Sequence, residues 1–372
     1  MQKSLLSLAA VMSLLVVLSG CQPKVETPAE LNDTQKAEQD NQQPLSIEQS
    51  KQAVVTEPAI DAKTCLALSK SMQKMDETSK IEAIYAIQKQ LKTCLPTANN
   101  TEVLRLLTDY EAMYERFLTI SQSMEDGNFY TVMQMADEGK QVPEPLLNTL
   151  NPKLQHLIRL VEDNADVRVI YQGEGYYEFT HDLQAMADIF TPYLRQDQKA
   201  FIERMAMDNQ DILWNDGGIA ISFVEVIERA QFWEDYLARY PKGYAHQDAK
   251  YLFEIYRYLL LFGSENTQWT DDSIHEFLDP EYRPLMLKLA RRPNSILARD
   301  AQALLDFIAL SDSQRQEKYP TPVVNEDGDE ISEWAIASYQ KAEALPIESP
   351  WETATKNCFI GVVCVENNDE EE

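Results

Sequence analysis

The sequence has 372 residues, of which 33 are Lys or Arg and 61 are Asp or Glu, so its formal net charge at pH 7 is −28. An excess of negative charge repels polyanions, and no basic stripe is evident that would reverse this locally. The composition therefore predicts that nucleic acid is not a partner. It also argues against broad contact with anionic lipid headgroups.

The N-terminus has the features of an export signal. Lys3 supplies a basic start, and residues 5–18 form a nearly continuous apolar stretch. This stretch is too short to cross a bilayer as a helix, which takes roughly 20 residues. Residues 1–20 are therefore predicted to be a signal peptide that is removed during export.

The predicted signal ends in Leu18-Ser19-Gly20-Cys21, which resembles the lipobox of bacterial lipoproteins. The resemblance implies cleavage before Cys21 and a diacylglycerol on its sulfur, so that the lipid bilayer is a partner through the acylated cysteine. The alternative is an ordinary secretory signal with a chance cysteine. By the same resemblance, Gln22 instead of an aspartate after the lipidated residue favours the outer membrane, facing the periplasm.

Two polar segments flank the central part of the chain. Residues 21–60 begin at the anchor and are rich in Gln, Glu, Pro, Asn and Thr, which is the composition of a disordered tether. Residues 346–372 are expected to form a loop closed by a disulfide, followed by an acidic tail at 366–372 that is most simply a solvated terminus. A helical domain is therefore expected at residues 61–345.

Four of the five cysteines remain after Cys21, an even number that suits an oxidising compartment. Three pairings are possible. Local loop closure favours Cys65 with Cys94 and Cys358 with Cys364, and the first disulfide would contribute about 3.5 kcal/mol. Metal binding is the alternative, but no CxxC spacing and no nearby histidine support it. Neither a metal nor a cofactor is predicted.

The central region is predicted to be mainly α-helical, because it has few glycines and its apolar residues recur at intervals of three and four. Residues 167–179 break this pattern with β-branched and aromatic residues on both sides of a glycine turn, which predicts a small β-hairpin. Residues 323–330 predict a second turn with Asp327-Gly328 at its tip. The predicted helices are 62–75, 79–94, 101–124, 152–165, 182–193, 196–214, 219–239, 245–262, 282–291 and 295–310.

Two stretches match at an offset of 52 residues and predict a repeat-like pair at 229–310. Each copy ends a helix with Leu-Ala-Arg and breaks at Pro241 or Pro293. Repeat arrays use such helix pairs to bury a face that one unit cannot bury alone. The pairs loosely resemble tetratricopeptide-like pairs, although their spacing departs from that family, and a helical-repeat-like array with a hairpin insertion is expected. Further matching positions are Asp248/Asp300, Ala249/Ala301 and Leu252/Leu304.

A wider resemblance covers roughly residues 165–310. The order and spacing of its short motifs are similar to a pattern found in uncharacterised exported bacterial proteins. The resemblance implies a helical fold and an exported compartment, and it implies no activity. The motifs are Gly173-Glu174-Gly175-Tyr176, Asp216-Gly217-Gly218, Trp233-Glu234 with Tyr236-Leu237 and Tyr240-Pro241, and Phe262-Gly263 with Asn266-Thr267.

The sequence contains no recognisable catalytic or cofactor motif. Its four histidines, His156, His181, His246 and His275, form no HExxH or other paired zinc spacing. It also lacks a GxSxG elbow, a P-loop and a glycine fingerprint for dinucleotides. The commonest hydrolase, nucleotide-hydrolysing and oxidoreductase classes are therefore not predicted.

The predicted hairpin carries the best polar constellation of the chain. Glycosidases use two carboxylates about 5–9 Å apart, and aromatic rings suit sugars. Glu174 and Glu178 could reach this distance across the turn near His181, so glycan hydrolysis and glycan binding without catalysis are both hypotheses. The alternative is that surface turns collect acids and that the tyrosines pack on the helices. The full set is Glu174, Tyr176, Tyr177, Glu178, His181 and Asp182.

Two further places are candidates for binding. Asp216, followed by two glycines, precedes a predicted helix start and could expose backbone N–H groups to an anion, although such glycines more often end a helix. Tyr251 and Tyr258 lie off the main apolar stripe of an aromatic-rich region. They could mark a groove for a peptide or glycan, whereas aromatic residues at these spacings are more often core.

A partial calcium pattern lies at the second predicted turn. Asn325, Asp327 and Asp329 occupy the first ligand positions of a calcium loop. The pattern then fails, because Glu330 stands where the loop needs glycine and Ile336 where it needs glutamate. A solvated hairpin tip is therefore the favoured interpretation.

These observations lead to two functional hypotheses. The first is a membrane-anchored, non-enzymatic helical scaffold or binding module for another envelope component, either a protein or peptidoglycan. The second is a carboxylate-based hydrolase of cell-wall glycan that uses Glu174 and Glu178. The anchor, the tether, the repeat-like helices and the missing catalytic motifs favour the first.

Overall fold

Helices dominate the computed structural model, which confirms the mainly α-helical prediction. It describes residues 62–120, 127–163, 166–325 and 327–350. The predicted signal peptide and tether lie outside this part of the chain, as do residues 351–372 and therefore Cys21, Cys358 and Cys364. Among the described residues, no helix combines the length and the apolar character needed to cross a membrane.

An asparagine side chain caps the start of the third and of the sixth helix. The Asn99 side chain accepts the backbone N–H of Glu102, whose carboxylate accepts the N–H of Asn99 in return. This reciprocal capping satisfies two backbone donors at the start of the third helix. The helices are α1 (Ala62–Met72), α2 (Ile81–Cys94), α3 (Asn100–Leu118), α4 (Gly127–Asp137), α5 (Glu144–Leu147) and α6 (Pro152–Glu162).

An antiparallel hairpin follows these helices. Its strands are β1 (Val167–Gly173) and β2 (Tyr176–His181), and Glu174 and Gly175 form the turn between them. The hairpin packs against α3, α4 and α6. The β-hairpin predicted for residues 167–179 is therefore confirmed.

The remaining elements form the C-terminal half of the body. Helix α9 packs on α10 and α11 packs on α12, and α12 also contacts α9, α10 and α14. The elements are α7 (Leu183–Phe190), α8 (Gln196–Asp208), β3 (Trp214–Asn215), β4 (Gly218–Ile219), α9 (Phe223–Arg239), α10 (His246–Phe262), α11 (Tyr282–Ala290), α12 (Ile296–Ile308), α13 (Asp312–Lys318) and α14 (Glu333–Ala344).

The largest departure from the predicted helices lies at residues 209–222. The sequence predicts helix up to residue 214 and again from 219, but α8 ends at Asp208 and α9 begins at Phe223. A short hairpin, β3–β4, lies between them and turns at Asp216-Gly217. Both turn residues have positive φ, 50° and 67°, which no right-handed helix accommodates. The helical prediction is wrong here because local turn chemistry overrides the apolar periodicity.

The sequence predicts no helix at α4, α13 or α14. Helix α13 is almost entirely polar, so it lacks the apolar stripe on which the prediction relies. It is held instead by Arg315, whose guanidinium is buried and donates to the backbone oxygens of Ser273 and Ile274. Tertiary hydrogen bonds of this kind leave no periodic signal in the sequence.

The two helix pairs correspond to the matching stretches in the sequence. Ala249 and Ala301 are buried at equivalent positions, and so are Leu252 and Leu304. The pairs differ in helix length, however, and residues 263–281 separate them without a helix. The structure thus shows a mainly α-helical body with small hairpins, and repeat character is not evident from it.

A disulfide and a buried ionic network stabilise the body. Cys65 in α1 and Cys94 at the end of α2 form the disulfide, with their Cα atoms 5.6 Å apart. Arg229 of α9 is only 1% exposed, pairs with Glu225 and lies 3.5 Å from Asp208 of α8. Because charges taken out of water cost several kcal/mol each, such a network is stable only while its charges are paired.

Candidate functional site

The two hairpin carboxylates are exposed and lie apart from the histidine. Glu174 is in the turn, and Glu178 lies on β2, where its carboxylate accepts a hydrogen bond from Gln172 Nε2 at 3.1 Å. Successive side chains of a strand point to opposite faces, so Glu178 and His181, three positions apart, lie on opposite faces of β2. His181 is only 4% exposed and packs against Tyr114. The three candidates for hydrolysis therefore do not line one cleft.

The hairpin tyrosines differ in their surroundings. Tyr176 is exposed, as a glycan-binding residue would need to be. Tyr177 is partly buried, and its ring packs on Tyr171 with the ring centroids 5.0 Å apart. The Tyr171 hydroxyl in turn accepts the backbone N–H of Gly175 at 3.2 Å, which fixes the turn. Of the two tyrosines, only Tyr176 is free to contact a ligand with most of its ring.

A buried polar cluster, which no motif in the sequence indicates, lies next to the hairpin. The Asp166 carboxylate accepts hydrogen bonds from Gln88 Nε2 and from the hydroxyls of Tyr114 and Tyr110, the last at 3.4 Å. Burial raises the pKa of Asp166 to about 6 and lowers the pKa of His181 to about 3. Among the described residues, neither His181 nitrogen has a hydrogen-bond partner.

This cluster is closed to substrates. Asp166 is 5% exposed, and the hydrogen-bond partners of its carboxylate come from α2 and α3, so a substrate does not reach it without opening of the body. Burial favours the uncharged form of each group, so Asp166 binds its proton more tightly and His181 binds its proton less tightly than in water. The cluster therefore bears on the pH dependence of stability and is a poor candidate for a binding site.

The Asp216 turn is occupied by a neighbouring segment. The backbone oxygen of Asp216 accepts a hydrogen bond from Asn266 Nδ2 at 2.6 Å, and Thr267 Oγ1 accepts the N–H of Ile219 at 2.8 Å. Helix α9 begins after this turn, with Ser222 as its cap, so the glycines do not lie at a helix N-terminus. The helix start near Ile219, on which the anion-binding prediction at Asp216 depends, is therefore wrong.

The residues of the partial calcium pattern form a turn that is held by hydrogen bonds among themselves. The Asn325 side chain accepts the backbone N–H groups of Asp327 and Asp329 at 3.0 and 2.8 Å, as in turns that polar side chains stabilise. Within the described part of the chain, no three His, Cys, Asp or Glu side chains are grouped so that they could hold a metal ion.

The two tyrosines of α10 are partly buried. Tyr251 packs against the hydrophobic core, and Tyr258 stacks on Phe262 with ring centroids 4.8 Å apart. Both rings therefore have protein partners on one side. They lie at the edge of the core and do not form an open aromatic groove by themselves.

An open groove lies between α11 and α12. Its volume is about 850 Å³, within the range of ligand sites. Its lining mixes apolar and polar side chains, including Ile296, which is 39% exposed. We call it the α11–α12 groove, and its lining consists of Ala290, Arg292, Asn294, Ser295, Ile296, Ala298, Arg299, Gln302, Ala303 and Asp306.

Glu234 of α9 binds two residues that line this groove, Ser295 and Ile296. Its carboxylate accepts the Ser295 hydroxyl at 2.7 Å and the backbone N–H groups of Ile296 and Leu297, the latter at 3.2 Å. A carboxylate at this place satisfies the free donors of the α12 N-terminus and favours its dipole. The neighbouring Trp233 is fully buried in the core, so the Trp233-Glu234 motif has a structural explanation.

Comparisons of the chain with protein-family models, with curated proteins and with solved structures found no significant match.

Proposed function

We propose that this protein is a lipid-anchored, non-enzymatic envelope protein whose helical body binds another envelope component in the α11–α12 groove. The observation that carries the proposal is the groove itself, an open concavity of about 850 Å³ whose lining combines the exposed apolar side chain of Ile296 with polar and charged side chains. Sites with this combination bind partners through their apolar surface and orient them through their polar groups. A protein and peptidoglycan are both suitable partners.

Anchoring through Cys21 is part of the same proposal. The lipobox resemblance and the polar segment at residues 21–60 support a body that stands clear of the membrane on a tether, in the outer membrane and facing the periplasm. A flexible tether of this length would reach roughly 35 Å on average. The helix pairs α9–α10 and α11–α12 are proposed to be diverged copies of one repeat-like unit, supported by their equivalent buried alanines and leucines.

In-cell photo-crosslinking tests this proposal. A photoreactive amino acid replaces Ile296 in the groove or, as the control, Leu66 on α1, which is 47% exposed. The proposal predicts one discrete crosslinked product, with a protein or with wall glycan, that forms from position 296 and not from position 66. Equal crosslinking from both positions, or none from position 296, contradicts it.

A further inference from the structure

A small acidic cleft lies between the end of α8 and the start of α9. It is lined by side chains from residues 204–211 and 222–228, and we call it the α8–α9 cleft. Its volume is about 280 Å³, just below the range of sites for drug-sized ligands. A cleft of this size suits one long side chain or a group of similar size.

Carboxylates outnumber cations in the α8–α9 cleft. Four Asp or Glu side chains line it, against the single guanidinium of Arg204. Arg229 contacts two of the four from the core, so four negative and two positive charges leave a negative sum. The sum stays negative even if Arg168 is counted, which donates to the backbone oxygens of Asn209 and Gln210 next to the cleft. The carboxylates are Asp208, Asp211, Glu225 and Glu228.

Two of these carboxylates are free to bind a cation. Asp211 and Glu228 are exposed, and within the described part of the chain neither forms an ion pair. No three acidic side chains of the described residues are grouped so that they could hold a metal ion. A guanidinium or an ammonium donates several hydrogen bonds in different directions, so it suits carboxylates that are spread out in this way.

Asp208 gives an independent indication of a ligand. It lines the cleft although it is only 6% exposed, and its Oδ2 has no hydrogen-bond partner among the described residues. Its Oδ1 lies 2.8 Å from Arg204 Nε and 3.5 Å from Arg229 Nε. Burial nevertheless raises the pKa of this carboxyl, because the two guanidinium groups do not offset the loss of water. Since a buried acceptor without a donor is costly, Asp208 favours a cationic ligand that carries N–H groups.

Apolar side chains at the cleft favour a cation on an aliphatic stem. Met207 of α8 and Val224 of α9 both line the cleft and are 53% and 44% exposed. Lysine and arginine bury their methylene groups along apolar surface of this kind while the charged end remains with polar partners. The exposed parts of Met207 and Val224 also offer contacts to the residues on either side of a basic residue in a peptide.

We infer that the α8–α9 cleft binds a lysine or arginine side chain of another polypeptide. The carboxylates match its cationic end, the volume admits one such side chain, and the apolar residues match its stem. A net charge of −28 on the whole chain also attracts basic segments from a distance. This inference goes beyond the proposed function, because the cleft shares no lining residue with the α11–α12 groove and its binding does not depend on a partner there.

Methyl NMR of the purified full chain in non-ionic detergent tests the inference, since Met207 places a methyl group at the cleft. The methionine methyl groups are labelled with carbon-13, and the Met207 signal is the one lost in Met207→Leu. A Gly-Arg-Gly peptide blocked at both ends should shift this signal and reach half-saturation at about millimolar peptide, because exposed ion pairs are individually weak. The signal of Met135, a partly buried residue of α4, should not move.

The chemistry of the probe separates the possible occupants. The same peptide with citrulline in place of arginine keeps the shape and loses the charge, so it should bind at least fivefold more weakly. Ethylammonium carries the charge without the long stem or the peptide, and it should also bind at least fivefold more weakly. Dilution of the free protein should leave the Met207 signal in place. Equal binding of either compound, or a shift of this signal on dilution that identifies a second copy as the occupant, overturns the inference.

Matched variants provide the control. Asp211→Asn/Glu228→Gln removes the two unpaired carboxylates of the cleft and should weaken binding of the arginine peptide at least fivefold. Glu115→Gln/Glu317→Gln removes two exposed carboxylates on α3 and α13 and should leave the affinity unchanged. Circular dichroism shows that both variants are folded. An unchanged affinity in the first variant, or an equal loss in both, overturns the inference.

Discussion

The ring of Tyr114 lies flat on the imidazole of His181, with the ring centroids 3.8 Å apart and the planes inclined by 3°. The hydroxyl of the same tyrosine donates a hydrogen bond to Asp166. One residue of α3 therefore contacts both ionisable groups of the buried cluster. The two groups are shifted in opposite senses, since burial keeps His181 neutral and favours the protonated form of Asp166.

The cluster predicts opposing effects of acid on stability. The pKa of Asp166 is about 6 in the folded protein against an ordinary value of 3.8, so the native state takes up this proton first and gains about 3 kcal/mol as the pH falls from 6 towards 4. The pKa of His181 is about 3 against 6.5, so the unfolded state takes up that proton first. Stability is then lost between pH 6.5 and 3, by about 5 kcal/mol in full.

Urea unfolding at pH 7, 5.5 and 4 separates the two effects. Relative to the wild type, His181→Phe should become progressively more stable as the pH falls, and Asp166→Asn progressively less stable. Met113→Leu, which replaces a buried side chain of α3 that does not titrate, should show a difference that does not change with pH by more than about 0.5 kcal/mol. Parallel pH profiles for all four proteins would show that the cluster does not titrate as described.

The buried ionic network predicts a large loss of stability when one charge is removed. Arg229→Leu removes the guanidinium that pairs with Glu225 and lies beside Asp208, which keeps only Arg204 at 2.8 Å, and should lower the free energy of unfolding by about 3 kcal/mol. The control is Arg159→Leu, because Arg159 pairs with Glu144 at 3.3 Å while both are well exposed. That change should cost less than about 1 kcal/mol. A similar loss of unfolding free energy for both substitutions would mean that burial does not determine how much an ion pair contributes to stability.

The glycine that ends α10 predicts a second difference in stability. Gly263 has a φ of 74°, and a Cβ atom there would overlap the backbone oxygen of Thr267. Gly263→Ala should therefore cost about 2–4 kcal/mol from strain and overlap together. Gly139 has a similar φ of 66° but open space around it, so Gly139→Ala should show only the strain, about 1 kcal/mol. Thermal unfolding of the two variants measures the comparison, and equal costs would contradict it.

The exposed hairpin carboxylates are predicted to have no catalytic role. Glu174→Gln/Glu178→Gln should change the free energy of unfolding by less than about 0.5 kcal/mol, because both side chains are exposed. Purified peptidoglycan incubated with the wild type or with the double variant should release no soluble fragments in either case. Release by the wild type that the double variant abolishes would instead favour the hydrolase hypothesis.

Much of the fold can be predicted from local pattern. The helices around Tyr110, Trp233 and Leu304 follow the apolar spacing of three and four, and the hairpin follows from its glycine turn. Helix α13 has no apolar period because a buried arginine holds a polar helix, and residues 209–222 differ from the predicted helices because a turn with positive φ interrupts the apolar pattern. Such features depend on contacts that periodicity does not record.

The candidate sites were less predictable, since they depend on residues far apart in the chain. Asp166 meets Gln88 and Tyr114, which lie 78 and 52 positions away. The α11–α12 groove depends on Glu234, which reaches Ser295 across 61 positions.

Binding through the α11–α12 groove is the central claim, and co-purification from cells tests it most directly. The amount of partner recovered after mild crosslinking is compared for the wild type, Ile296→Glu and Leu66→Glu, each normalised to the amount of bait. We expect near-stoichiometric recovery with the wild type and with Leu66→Glu, and at least a tenfold loss with Ile296→Glu. Recovery that is unaffected by Ile296→Glu, or lost equally in both variants, would contradict the claim.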